Sequence, residues 1–443
     1  MKRSENVKEL LKKIFNYKTT VIVILLMFVA KFLGFIKNIF LAKYYGTSVI
    51  SDAYQMAISI SMIIVGMVLY SYQAFTKGYY ISEKYKRENE YTSTFLNFIL
   101  VILVVIFAIM VVFEKNIIKI FAPGFNSEQI TYTINFLIPI TIGTIFLVVA
   151  NILSEYLRCK NSYVISQVAY LTVNIIEIIT ILIAFYIDCN WLSYGYLLAN
   201  FIYLVILVFL CIKKNLKYQL VLKKEEIRLF SKILIPIFFS SVITDINSMI
   251  DKIFASNSGT GIVSTLSYAT NIKTVTLIIA AGFLTVLFPK ISKKIVERDF
   301  INFKKIIKKS LLIILIIYIP ITIFFITFSV NIVKIVYYRG AFDLDSLNKT
   351  SICLQMYVIG VTGISIRDLY IKALYCLEKG RFVIGISIIS VAINTLLNIM
   401  LFRRLGYVGL PLATSLSVWI VIPILIYYYK KNIKELINLR DNS

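Results

Sequence analysis

Apolar stretches long enough to cross a bilayer recur from one end of this chain to the other, with only short polar segments between them. About 20 apolar residues in a helix span the hydrocarbon core, and a backbone in lipid must satisfy its own hydrogen bonds. Repetition of such stretches therefore fixes the fold class before any motif is considered: an all-α integral membrane protein. Composition agrees. Of the 443 residues, 59% are hydrophobic, which leaves too little polar sequence to cover a soluble body of this size.

The apolar runs predict about twelve transmembrane helices in two lobes of six. The N-lobe, 19–213, has helices near 19–44, 50–79, 91–113, 128–157, 160–187 and 191–213. The C-lobe, 230–430, has helices near 230–256, 263–291, 306–330, 346–376, 380–402 and 406–430. A basic cytoplasmic linker, 214–229, joins the lobes. Residues 1–18, with Lys2, Arg3, Lys8, Lys12 and Lys13, read as a cytoplasmic amphipathic segment with no signal-peptide cleavage pattern, and 431–443 as a cytoplasmic tail.

The net charge of +24 would point a soluble protein toward nucleic acid. Here the cations collect in alternate loops: 77–90, the linker, and 290–309 with seven lysines from Lys290 to Lys309. That is the positive-inside pattern, and it places both termini of a multi-pass chain on the cytoplasmic side. It removes the case for nucleic acid. Arg403 and Arg404 fall on the predicted outer side and break the pattern locally.

A repeat supports the two lobes. Asn116-Ile117-Ile118-Lys119-Ile120 recurs as Asn331-Ile332-Val333-Lys334-Ile335, each after the third helix of its lobe and before a turn holding Gly124 or Gly340. A weaker echo pairs Ile39-Phe40, Ser51 and Tyr54 with Ile253-Phe254, Ser264 and Tyr268. Six helices per repeat is an even number, so the lobes share one orientation. A pseudo-two-fold along the membrane normal relates them, and the substrate path, a central cationic cavity, is expected between them.

Charge inside a spanning helix costs about 2.5–3.5 kcal/mol on insertion scales, so it marks function by default. The first helix carries Lys31 and Lys37 with Gly34 between them. Either both lysines face an aqueous cavity and attract an anion such as a pyrophosphate, or they form structural ion pairs with helix neighbours. Gly34 permits a bend there. Asp52 reads either as a helix N-terminal carboxylate or as a gating partner for Lys37 or Lys43. Arg367 beside Asp368 in the tenth helix, and Lys273 in the eighth, are further cavity candidates. Glu177 reads as bonded within its own lobe. Asp245, Asn394, Asn398 and Thr414 could offer oxygens to a hard cation, or simply pack as interhelical polar contacts.

Catalysis finds no support. Histidine is absent, the five cysteines have no CxxC spacing, and neither a Walker loop nor a nucleophile–base set occurs. An ATP-driven pump has no room for a nucleotide domain, so energy must come from ion or voltage gradients or from downstream consumption. The outer loops are too short for a membrane glycosyltransferase site. A drug–cation antiporter would want an acidic cavity, and a scaffold would give the buried lysines no reason.

Several runs carry a resemblance. Ala30-Lys31-Phe32-Leu33-Gly34-Phe35-Ile36-Lys37, Ala42-Lys43-Tyr44-Tyr45-Gly46 and Ser51-Asp52-Ala53-Tyr54 resemble the start of the MurJ (MviN) lipid II flippases. Ala122-Pro123-Gly124-Phe125, Phe254-Ala255-Ser256, Tyr268-Ala269, Phe288-Pro289, Arg339-Gly340-Ala341-Phe342, Gly406-Tyr407-Val408-Gly409-Leu410 and Ala413-Thr414-Ser415 continue it in order. The resemblance implies the fold of the multidrug/oligosaccharidyl-lipid/polysaccharide exporters, a bacterial cytoplasmic (inner) membrane as location and a polyprenyl-pyrophosphate-linked saccharide as substrate, with membrane lipids and cell-wall or polysaccharide synthesis proteins as partners. It implies that Lys31 and Lys37 stand at cavity arginines, that Asp52 stands at the first-loop aspartate, and that Asp245, Asn394, Asn398 and Thr414 stand at a sodium site. There are departures. Lysine replaces arginine twice, Asn398 replaces a carboxylate, Ile63-Ile64-Val65 and Asn271 stand near expected arginines, and the family's further C-terminal helix pair is missing. The expectation is a shortened flippase of lipid II, or of capsular or exopolysaccharide repeat units in the manner of Wzx.

Overall fold

The computed structural model describes residues 2–441. Helices follow one another almost without interruption: α1 Lys2–Tyr45, α2 Val49–Ile64, α3 Gly66–Leu69, α4 Tyr72–Lys84, α5 Glu88–Val112, α6 Glu114–Phe121, α7 Ser127–Cys159, α8 Tyr163–Tyr186 and α9 Trp191–Lys213. There follow α10 Lys224–Ser256, α11 Ile262–Val296, α12 Phe300–Thr327, α13 Ser329–Tyr337, α14 Leu344–Val358, α15 Val361–Cys376, α16 Gly380–Leu405 and α17 Gly409–Asp441. Among the described residues there is no strand, and nine helical stretches are long and apolar enough to cross a membrane. The second expected span is divided: α2, α3 and α4 break near Val65 and again near Ser71. The basic side chains of the first segment, Lys2 to Lys13, lie outside the described residues.

Two compact units emerge. The first holds 1–41, 53–120 and 126–242, and the second holds 42–52, 121–125 and 243–443. Residues 214–223, within the expected linker, fall in the first unit. They run as an extended strap over α5, whose polar residues at successive turns hold them. Asn97 Nδ2 donates to the carbonyls of Gln219 and Val221 at 3.0 and 2.9 Å. Ser93 Oγ accepts from Gln219 N at 3.0 Å, and Asn89 Oδ1 from Lys217 N at 3.2 Å. Residues 89, 93 and 97 repeat every four positions and so share one helix face.

Within the first unit, small residues let the helices approach closely. A Cβ at Gly143 would meet Tyr196 Cδ1 at 2.7 Å, and one at Gly195 would meet Thr180 Oγ1 at 2.0 Å. These contacts lock α7, α8 and α9 together. In the second unit the tenth expected span is also broken, into α14 and α15 at Ile359-Gly360. The break frees carbonyls in an apolar setting, and α17 supplies donors for them. Trp419 Nε1 donates to Ile359 O at 3.0 Å, and Ser415 Oγ to Met356 O at 2.5 Å.

The internal repeat takes structural form in α6 and α13, short helices that carry the two repeated motifs. Each leads to a turn and then to a capped helix. Asn126 caps α7 reciprocally with Gln129, and Asp343 Oδ1 accepts from Ser346 N at 2.8 Å at the start of α14. The turns seat equivalently. Gly124 lies against the end of α10, its N–H donating to Ser256 Oγ at 3.3 Å. Ala341 N donates to Lys43 O at 2.8 Å, at the end of α1. Gly340 has φ +62°, and a Cβ there would lie 2.2 Å from Lys43 O. Gly340→Val is therefore expected to cost about 2 kcal/mol or more. A lowered melting temperature of the purified protein checks it. Arg403 and Arg404, out of place by loop charge, occupy the last turn of α16, where cations complement the helix dipole.

Candidate functional site

Lys37 is the first residue to examine, because α1 carries it among apolar neighbours. Its Nζ lies 2.8 Å from Glu177 Oε2 on α8, both in the first unit. The Glu177 side chain is 4% accessible and that of Lys37 20%. One turn earlier on each helix, Gly34 faces Asn174, whose Oδ1 would be 3.2 Å from a Cβ at Gly34. The absent side chain at Gly34 thus permits a close approach of the helices, and α1 continues unbroken through it. Lys31 is exposed and lies six residues before Lys37, so the two lysines do not share a helix face.

Asp52 lies in the first turn of α2, as expected of a helix N-terminal carboxylate, and reaches a second helix start. It is fully buried. Its Oδ2 accepts from Gly261 N at 2.5 Å, and its Oδ1 accepts from Ser264 N at 2.8 Å and Ser264 Oγ at 2.7 Å. It therefore satisfies the N-terminus of α11 from the first turn of α2. Gly261, at φ +89°, bends the chain into this contact. Lys37, proposed as a gating partner from sequence, is paired with Glu177 instead.

In the second unit Arg367 and Asp368 bind each other, with Nη2 and Nε at 3.0 and 3.1 Å from Asp368 Oδ1. The flexible arginine folds back over one residue. Arg367 also lines a cavity of about 200 Å³ with Asn247, Ser387, Ser390, Thr414 and Ser417. Lys273 Nζ sits 4.2 Å from the centroid of the Tyr357 ring, a cation–π contact.

The expected cation ligands come together around a different acid. Asn398 Nδ2 donates to Asp251 Oδ1 at 2.7 Å and to Asn394 Oδ1 at 3.1 Å. Thr414 Oγ1 donates to Asp251 Oδ2 at 2.8 Å, and Asn394 Nδ2 to Thr414 Oγ1 at 3.3 Å. Asp251, not Asp245, completes the set. The two aspartates are more than one turn apart on α10, and only the rotation of α10 against α16 and α17 distinguishes them. Asn398 Oδ1 is buried without a hydrogen-bond partner among the described residues. One carboxylate and three neutral oxygen-bearing side chains suit a hard monovalent cation. The unpartnered carbonyl oxygen is the acceptor such an ion would engage.

A family model described as "Lipid II flippase MurJ" matches residues 41–440. The chain belongs to the MurJ family. Among curated MurJ relatives, a probable lipid II flippase of Rickettsia prowazekii is 25% identical over 433 residues, covering 94% of this chain and 84% of that protein. One of Thermotoga maritima is 24% identical, covering 88% and 80%. Among solved structures, a lipid II flippase MurJ in an inward closed conformation aligns with a TM-score of 0.82 at 21% identity, covering 94% of this chain and 90% of that one. An inward-facing MATE multidrug transporter of the MOP superfamily gives 0.81 at 12% identity, covering 92% and 96%. These establish the MurJ/MATE fold, and with it a multi-pass membrane transporter rather than an enzyme.

Proposed function

We propose that this chain translocates lipid II across the bacterial cytoplasmic membrane, with both termini on the cytoplasmic side. The family match over 41–440 carries this reading. The cations inside the spanning helices agree with it. Lys37, Lys273 and Arg367 suit an anionic headgroup, and Lys31 adds to the same charge. The pyrophosphate engages the Lys37 ammonium and the saccharide stays hydrated, while the polyprenyl tail remains among membrane lipids. Movement between inward-open and outward-open states then carries the headgroup across. Depletion of this protein in its host, followed by mass spectrometry of polyprenyl-linked lipids, tests the reading. Accumulation of a disaccharide–pentapeptide lipid is expected. Accumulation of another lipid-linked oligosaccharide would move the chain to Wzx-like export, a reading favoured by lysine where the family has arginine.

A sodium ion is the proposed coupling partner, held by Asp251, Asn394, Asn398 and Thr414. Bound there, it would neutralise the one carboxylate and tie α10 to α16 and α17. Thr414 also lines the cavity beside Arg367, which gives the site a polar approach. At a hundred-fold excess over its Kd, sodium is expected to stabilise the protein by about 2.7 kcal/mol. Melting in sodium against choline measures this, and Asp251→Asn is expected to abolish the difference. Equal melting of the unmodified protein in both salts would remove sodium from the account.

A further inference from the structure

Glu177 is the only charged residue of α8, and it meets Lys37 of α1, which is partly withdrawn from solvent. A buried carboxylate left alone costs several kcal/mol, so this pairing accounts for how Glu177 is tolerated in the helix. It does not account for the asymmetry of the pair. The carboxylate is 4% accessible while the lysine side chain is 20% accessible, so the lysine is the more open member of the pair. An ammonium has three N–H donors and no acceptor. The structure gives one of them to Glu177 Oε2 at 2.8 Å.

We infer that Glu177 is a positioning and affinity-setting residue for the translocated headgroup: it fixes the Lys37 ammonium with one hydrogen bond, presents the remaining N–H groups to the pyrophosphate, and offsets the lysine charge so that the headgroup is released. This rests on the lipid-linked pyrophosphate reading above. Its logic is electrostatic. A lysine free of its counter-ion in a low-dielectric setting attracts a pyrophosphate more strongly than a neutral pair does. A transporter gains nothing from tight binding that persists through the cycle, since only differential binding of its states drives turnover. Glu177 keeps the attraction moderate, and it holds the long lysine side chain in one place at the same time.

Three variants in proteoliposomes test this, with lipid II as probe and both its Kd and its flipping rate recorded. Glu177→Gln retains a hydrogen-bond acceptor but removes the negative charge. It is expected to bind lipid II about ten-fold more tightly and to flip it about ten-fold more slowly. Glu177→Asp keeps the charge and is expected to hold Kd within about two-fold of the unmodified protein. The exchanged pair, Lys37→Glu with Glu177→Lys, restores the ion pair with the acid on α1. Its melting temperature is expected to match the unmodified protein while binding is lost. A purely structural pair gives the opposite pattern: unchanged Kd in Glu177→Gln and restored flipping in the exchanged pair, and either result overturns the inference. Absence of lipid II binding by the unmodified protein would overturn the substrate reading first. Normal binding with an unresponsive Glu177 would overturn only this one.

Discussion

Asp52→Ala is expected to destabilise the protein by on the order of 4 kcal/mol, with loss of folded protein from the membrane as the visible result. The side chain is fully buried and accepts from Gly261 N, Ser264 N and Ser264 Oγ. Bonds to a charged acceptor contribute about 1.5–3 kcal/mol each, and orphaned buried donors cost about 1–3 kcal/mol each. The two backbone N–H groups open α11, where no intrahelical carbonyl can replace the lost oxygens, whereas Ser264 Oγ can still donate to Gly261 O at 3.1 Å. Asp52→Asn keeps one acceptor oxygen and is expected to lie between the two. A gating residue behaves otherwise, losing transport while melting normally. Thermal melting of the purified variant separates the roles, and an unchanged melt in Asp52→Ala would discard the clamp.

Lys37→Ala is expected to reduce flipping at least a hundred-fold and, separately, to destabilise by about 3 kcal/mol, because it strands the Glu177 carboxylate. The two effects come apart in combination. Lys37→Ala with Glu177→Ala removes both charges and is expected to recover the melting temperature without recovering flipping. Lys37→Arg keeps the cation and adds a planar fork for phosphate, so it is expected to flip at a rate near the unmodified protein. Flipping restored by the double alanine variant would show that Lys37 serves folding alone.

Much of the fold was legible because the bilayer enforces length and hydropathy. The apolar runs anticipated α1, α5, α7 to α9, α11, α12, α16 and α17 with ends shifted by a few residues, though the helices that begin or end in polar sequence run further. The breaks at Val65 and at Ile359-Gly360 were not legible. The second depends on donors from another helix, Trp419 and Ser415, and no local pattern announces either. The repeat located α6, α13 and their turns, because sequence similarity and three-dimensional equivalence coincide there. Site residues were harder. Helix periodicity grouped Asn394 with Asn398, but the acid expected beside them was Asp245, whereas Asp251 is the one that meets Asn398 and Thr414, since the rotation of α10 is set by packing. Asp52 was read from its own helix, and its partners lie more than 200 residues away. Glu177 was placed within its lobe without its lysine being named. Charge inside a spanning helix signals a partner and does not identify it.

The most direct measurement is translocation of fluorescent lipid II in proteoliposomes holding only this protein, scored by accessibility of the headgroup to an impermeant quencher or enzyme. Transfer at a rate well above that of protein-free vesicles, lost in Lys37→Ala combined with Glu177→Ala at unchanged stability, is the expected result. Lipid II that stays on its original leaflet, in vesicles where the protein is folded and inserted, would contradict the account.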